Sequence, residues 1–236
     1  LPMVLTRQLD PITVAPLWAD SVSLAALQAR ALLDAGKATE ADLAEVAARS
    51  RKSALDNPNA QLAWDRPAAE LLEADYHIAP LRKSDCAPIA DGAACVILAA
   101  GDVARSKVSR PAWIRGIDHR IDSHNFGARD LTRAPSIALA AEKAGVADGP
   151  IDVAELHAPF SFQEQIVRNE LGLGDDVMVN PSGGALAANP MLAAGLLRIV
   201  EVADRISAGT ADRGVAHATG GQLLQQNLVC VLEGES

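Results

Sequence analysis

Val179-Asn180-Pro181-Ser182-Gly183-Gly184-Ala185-Leu186-Ala187-Ala188-Asn189-Pro190-Met191 is the stretch on which the reading of this chain turns. It reads as a strand end, a glycine turn, a small-residue loop and the start of a long apolar helix over 191–206. Asn189 suits an N-cap, and Pro190 suits a first helical position, where the missing N–H has no intrahelical role. Arg198, Glu201, Asp204 and Arg205 mark a polar stripe at spacings of three and four. Leu192, Leu196, Ile199, Val200, Val202, Ala203 and Ile206 cover the rest, so the helix is expected to be largely buried. A buried helix whose N-terminus faces a glycine-lined loop makes a seat for a carbonyl, a carboxylate or an oxyanion.

Working outward, 236 residues suffice for one large domain or two small ones. Hydrophobic residues make up 49% but aromatics only 3%, so the core is built from Ala, Val, Leu and Ile. A net charge of −9 argues against a nucleic-acid surface, which needs a basic face. Cys86, Cys95 and Cys230 form an odd set without C-x-x-C spacing, which speaks against a disulfide framework or a zinc site. They lie in or near apolar runs and read as inert packing. No apolar run approaches membrane-spanning length and no signal peptide is evident, so a cytoplasmic protein without a membrane span is expected. The first residue is not methionine, which suggests a fragment or a processed product.

Along the chain, residues 1–19 with Pro2, Pro11 and Pro16 read as a loop or extended lead-in. A helix is expected over 20–35, capped by Asp20 or Ser21 and ended by Gly36. Thr39-Glu40-Ala41-Asp42 resembles a capping box opening a helix to about Leu55, and a short helical piece follows around 68–74. The uncharged run 93–99, after the Asp91-Gly92 turn, has the length and composition of a central strand. Then come a strand over Trp113–Ile121, a helix over 134–144, a short strand over 151–156, and a helix over Ser161–Leu171 closed by Gly172. Beyond the opening stretch lie strands over 214–217 and 227–232, with a glycine turn at Gly220-Gly221. Strands and helices alternate in the second half, which favours a layered α/β fold.

His157 stands on a turn at a strand's carboxyl end, where open α/β sheets bind ligands. It could hold a water or carbonyl oxygen, shuttle a proton, or simply be satisfied by backbone. Asn180, Ser182, Gly183 and Gly184 could form a binding turn or only a tight one. His217-Ala218-Thr219-Gly220-Gly221 leads a strand into a turn whose glycines could expose N–H groups. His119 and His124, flanked by Asp118 and Asp122, fit no tetrahedral metal pattern and read as a solvated loop. A G-x-G-x-x-G fingerprint, a P-loop and a G-x-S-x-G elbow are absent.

Ala90-Asp91-Gly92-Ala93-Ala94, Glu155-Leu156-His157-Ala158-Pro159-Phe160, Asn180-Pro181-Ser182-Gly183-Gly184 and His217-Ala218-Thr219-Gly220-Gly221, taken in order, resemble the thiolase superfamily. The branch they are most similar to is that of sterol-carrier-protein thiolases and lipid-transfer proteins. The resemblance implies a layered αβαβα fold of two similar halves, with the N-terminal half incomplete here. On it, residues 1–111 hold a loop region and the last strand of the first half, and residues 112–236 the second half. It further implies a homodimer or a heteromer, the latter formed with a small OB-fold acyl-CoA-binding protein. No cofactor is expected beyond a fatty-acyl-CoA or steroid-CoA thioester as substrate.

The departures from the family are specific. Its Gly-His-Pro falls on Ala188-Asn189-Pro190, and its Cys-x-Gly on Ala218-Thr219-Gly220. Neither asparagine nor alanine titrates, which weighs against two-cysteine Claisen chemistry. The family's nucleophilic cysteine corresponds to a position before Leu1, so no acyl-cysteine step is derived from these residues. The resemblance then gives His157, Asn189 and His217 as catalytic candidates. Asn180, Ser182, Gly183, Gly184, Gly220, Gly221 and Phe160 are the substrate-binding candidates, and no metal is expected. The expected chemistry is acyl transfer or retro-aldol cleavage of a carbon–carbon bond near the thioester, as in lipid or steroid degradation. The alternative is a catalytically silent subunit that binds lipid or stabilises a complex; condensing chemistry of the ketoacyl-synthase kind fits the glycine motifs less well.

Overall fold

The computed structural model describes residues 9–12 and 14–235; residues 1–8 of the lead-in expected over 1–19 lie outside them. Local sequence signals set most helix ends. Helix α1 (Ser21–Asp34) starts where Asp20 accepts a bond from the Ser23 N–H at 2.7 Å, and Gly36 beyond it turns the chain with φ 65°. Helix α2 (Glu40–Ser53) is opened by a full capping box, Thr39 with Asp42. Helix α3 (Ala68–Leu72) and the hairpin β1 (Tyr76–Ile78) and β2 (Leu81–Arg82) complete the loop region, followed by α4 (Gly101–Lys107).

The rest is a mixed five-stranded sheet. Its strands are β3 (Trp113–Ile121), β4 (Val153–Leu156), β5 (Met178–Val179), β6 (Arg213–Gly220) and β7 (Gln226–Glu233), in the spatial order β3-β7-β6-β4-β5. Helices α5 (Pro135–Ala144), α6 (Ser161–Leu171), α7 (Gly184–Ala187) and α8 (Ala194–Ser207) connect and cover them. The β6–β4 and β4–β5 pairs are parallel, whereas β3–β7 and β7–β6 are antiparallel. Strand alternation divides the core between two faces. Ala154, Leu156, Val215, Val229 and Val231 meet Ile137 of α5 and Phe162 and Ile166 of α6. Val153, Ala216, Cys230 and Leu232 meet Val202 and Ile206 of α8. The sheet is therefore sandwiched between helix layers, and the carboxyl ends of β4 and β6 open at the same edge.

Several expectations change. The run 93–99 makes no strand: it is irregular and unpaired among the described residues, with Ile97 91% and Leu98 75% exposed. A continuous apolar run forms a central strand only between two hydrogen-bonded neighbours, and no described strand lies beside it. Helix α8 begins at Ala194, not at residue 191, and its cap position is Ala193 rather than Asn189. Pro190 O accepts from the N–H groups of Ala193 and Ala194, at 2.7 and 2.9 Å, so a turn precedes the helix. Nor is α8 buried all round. Ala194, Arg198, Val202 and Ile206, four residues apart, make its buried stripe, and Leu192 just before it stands fully exposed. Arg198, expected on the polar face, thus lies in the core. Cys230 is buried and Cys86 half-buried, whereas Cys95 is exposed and does not pack. No described helix is long and apolar enough to cross a membrane.

Candidate active site

At the carboxyl end of β4, His157 is fixed from three sides. Its backbone N–H donates to His217 O at 3.1 Å, which ties it to β6. The Thr219 N–H points at His157 Nδ1 from 3.4 Å, and Nε2 lies 3.1 Å from Asn189 Oδ1. An N–H aimed at Nδ1 makes that nitrogen the acceptor, so Nε2 carries the proton and donates to Asn189. Only the Asn189 amide N–H groups then remain to meet an incoming oxygen. His157 is 6% exposed, and burial, helped by the positive charge of Arg198, pushes its pKa down to about 4. It is a neutral hydrogen-bond donor at physiological pH.

The segment after β2 completes the wall. The Ala87 N–H donates to Pro159 O at 2.8 Å, and the Ala90 N–H to Asn189 O at 3.3 Å. A Cβ on Gly92 would stand 3.0 Å from Pro190 Cβ, so glycine allows this close approach. Asp85, 2% exposed, accepts from the Ser161 hydroxyl at 2.7 Å and anchors the segment to the start of α6. Phe160 pairs with Cys86 through a single β-bridge and stacks on Phe162 at 6.2 Å. Three of the four motifs therefore converge on the His157–Asn189 pair.

The fourth supports it from behind. Asn180, with φ 48°, accepts from the Leu156 N–H at 2.7 Å and donates to Glu164 at 2.8 Å. Ser182 is held by Glu155 through both its N–H (2.9 Å) and its hydroxyl (2.7 Å). Arg198 closes this cluster, donating to Glu155 at 2.8 Å and to Ser182 Oγ at 3.1 Å. Gly183 and Gly184, with φ 91° and 61°, are needed for backbone shape and closeness. A Cβ on Gly183 would fall 2.6 Å from the Cβ atoms of both Ala54 and Ala187. The side chains of Asn180 and Ser182 are thus spent on the scaffold. Glu155, Glu164 and Arg198 escaped sequence reasoning; a charged residue inside the apolar strand 151–156 was the available signal for Glu155.

His217 does not join His157. Alternation along β6 places it with Val215, on the side of α5 and α6. Ala218 turns the other way: a Cβ on Gly195 of α8 would lie 2.6 Å from Ala218 Cβ. Fully buried, His217 donates from Nε2 to Asn227 Oδ1 at 3.0 Å, and its Nδ1 has no partner. Asn227 passes the chain on to Ser136 Oγ (2.8 Å), whose hydroxyl donates to Asp122 at 2.6 Å. Burial pushes His217 down to about 4. Gly220 ends β6, and Gly221, with φ 69°, begins the turn to β7. Asp122 thus serves the start of α5, and no group of three or more candidate metal ligands occurs among the described residues.

No family model matches the chain. It is 30% identical over 231 residues to an acetyl-CoA acetyltransferase of Methanothermobacter thermautotrophicus, covering 84% of this chain and 60% of that protein. Sterol carrier protein 2 of Gallus gallus is 27% identical over 212 residues, 75% of this chain and 39% of that protein. The chain therefore spans less than two thirds of the length of either relative. Among solved structures, that titled Ltp2-ChsH2(DUF35) aldolase matches with a TM-score of 0.74 at 19% identity, over 95% of this chain and 65% of that one. That likeness establishes the fold. With relatives that include acetyl-CoA acetyltransferases and sterol carrier protein 2, the chain belongs to the thiolase superfamily.

Proposed function

We propose that this chain supplies the oxyanion side of an acyl-CoA site that makes or breaks a carbon–carbon bond next to the thioester, by a retro-aldol type of reaction. The observation that carries the reading is the His157–Asn189 pair: two neutral donors, one orienting the other, with no titratable side chain at 189 or 218. Retro-aldol cleavage leaves an enolate whose charge sits on the thioester oxygen. An Asn189 amide N–H can donate to that oxygen, while the neutral His157 imidazole orients the amide without surrendering its proton. Standard thiolysis asks instead for bases that 189 and 218 lack. A fatty-acyl-CoA or steroid-CoA thioester is the proposed substrate, with coenzyme A entering as part of it. The structural neighbour whose title pairs an aldolase with a DUF35 protein supports a heteromer with a small OB-fold partner; a homodimer is the other arrangement.

The test is turnover of β-hydroxyacyl-CoA esters by the full-length protein with its partners. On this reading His157→Ala releases the Asn189 amide from its orientation and lowers kcat by about 10²–10³, the scale of losing an oxyanion donor, while acyl-CoA affinity stays within a few-fold. The second reading, a silent lipid-binding subunit, is favoured by the same two replacements. Unchanged turnover in His157→Ala, or none in the wild-type assembly, would establish it instead.

A further inference from the structure

Glu155 and His157 lie two residues apart, so strand alternation turns both side chains toward α8. Glu155 meets Arg198 of α8 at 2.8 Å, and His157 meets Asn189, which leads into that helix, at 3.1 Å. The helix is pressed onto this edge of the sheet: a Cβ on Gly195 would stand 2.6 Å from Ala218 Cβ of β6. Arg198, one turn further on, is fixed by its bonds to Glu155, to Ser182 Oγ at 3.1 Å and to Ala194 O at 3.3 Å. Two strand residues cover about 7 Å, which sets this buried guanidinium close beneath the His157 imidazole.

A cation there acts on the hydrogen-bond frame of the site. The Thr219 N–H is aimed at His157 Nδ1, so a second proton on the imidazole would set two donors against each other. The ring would turn away, and Asn189 would lose the partner that orients its amide. A positive charge beside the ring opposes that second proton. Burial is the larger cause of the neutral state of His157, and Arg198 the next. The other charged or titratable groups on the elements packed here are Glu155 on β4, Glu201 on α8, His217 on β6 and Asp85 after β2. Glu155 is tied to Arg198 and Ser182, Asp85 to Ser161, and His217 to Asn227. Glu201 is half-buried, three residues along α8 from Arg198.

We infer that Arg198 is a positioning residue of the acyl-CoA site: its charge keeps the His157 imidazole singly protonated, so that the Asn189 amide stays oriented toward the enolate oxygen, and it sets the acid limit of turnover. The effect on turnover rests on the acyl-CoA reading above; the effect on His157 rests on the contacts alone. A purely structural Arg198 would alter stability and leave both the acid limit and the protonation of His157 where they are.

The full-length protein with its partners is compared as wild type, as Arg198→Lys, and as Glu155→Gln with Arg198→Met, which removes the cation without leaving a lone carboxylate. Turnover of β-hydroxyacyl-CoA esters and the nitrogen NMR titration of His157 are followed between about pH 4 and pH 7. The charge-free variant should raise the acid midpoint of both kcat and the His157 titration by about half a pH unit or more, while KM stays within about twofold. Arg198→Lys keeps a cation in place and should hold both midpoints near those of wild type. Glu155→Gln with Arg198→Gln repeats the measurement should the methionine variant fail to fold. Either midpoint unmoved in the charge-free variant, or moved as far by Arg198→Lys, overturns the inference and leaves the acyl-CoA reading standing. If the wild-type assembly turns over no such ester, the acyl-CoA reading fails and the His157 titration alone decides. A midpoint raised in the charge-free variant and kept by lysine then sustains the charge effect of Arg198, and an unmoved one ends it.

Discussion

Replacing Arg198 by methionine strikes the buried centre of the scaffold. Glu155 is fully buried and Arg198 3% exposed, with 2.8 Å between them. The substitution keeps an unbranched apolar stem but removes the guanidinium bonds to Glu155, to Ser182 and to Ala194 O. Breaking a buried pair at one end costs about 3–5 kcal/mol, because the remaining charge has no partner. Urea unfolding of Arg198→Met against wild type should therefore show a loss of about 3–5 kcal/mol near pH 7. His157 gives a second readout: Arg198 helps hold its pKa down, so NMR titration should find it raised in the variant. Glu155→Gln with Arg198→Met should recover part of the stability, since no lone charge remains. A loss below about 1 kcal/mol near pH 7 would refute the argument.

Further expectations concern stability and the site. His157 and His217 are held near 4 in the folded protein against an ordinary 6.5, so the unfolded chain binds protons first as pH falls. Above about 6.5 neither costs stability; through the window down to about 4, each should remove up to about 3 kcal/mol, and His217→Asn should roughly halve that slope in urea midpoints. Gly183→Ala puts a Cβ 2.6 Å from two others at φ 91° and should cost about 3 kcal/mol, lowering the melting temperature by about 10 °C. Asn189→Ala strands the buried His157 Nε2–H, at about 1–3 kcal/mol, and should shift that nitrogen's NMR resonance away from its hydrogen-bonded value.

Local signals carried much of the architecture. The Asp20 cap, the Thr39–Asp42 box and the glycines after α1, α5 and α6 fixed helix ends because each acts within a few residues. Trp113–Ile121 and Ser161–Leu171 follow directly from pattern and terminator. What sequence left open depends on distant partners. Asn189 has every local qualification for an N-cap, yet His157, 32 residues earlier, claims its side chain. Arg198 sits where helical periodicity suggests solvent, and only Glu155 on β4 explains its burial. His217 follows the family motif, but the strand's two-residue alternation turns it from the face that carries Ala218. The turn after Gly221 gave no warning, since tertiary contacts impose positive φ on Leu223 and Leu224 against their own preference.

The unpaired run Ala93-Ala94-Cys95-Val96-Ile97-Leu98-Ala99 bears on how this polypeptide behaves in concentrated solution. It is seven residues long, uncharged, free of proline and glycine, and β-branched at its centre. Segments of that composition stack readily into cross-β ribbons when their backbone has no ladder to join. The Cys95 thiol, exposed within it, adds a route to covalent crosslinks under oxidising conditions. Handling the polypeptide at high concentration thus invites self-association through this segment. A single lysine at Ile97, 91% exposed, would interrupt the stacking while disturbing no packed side chain.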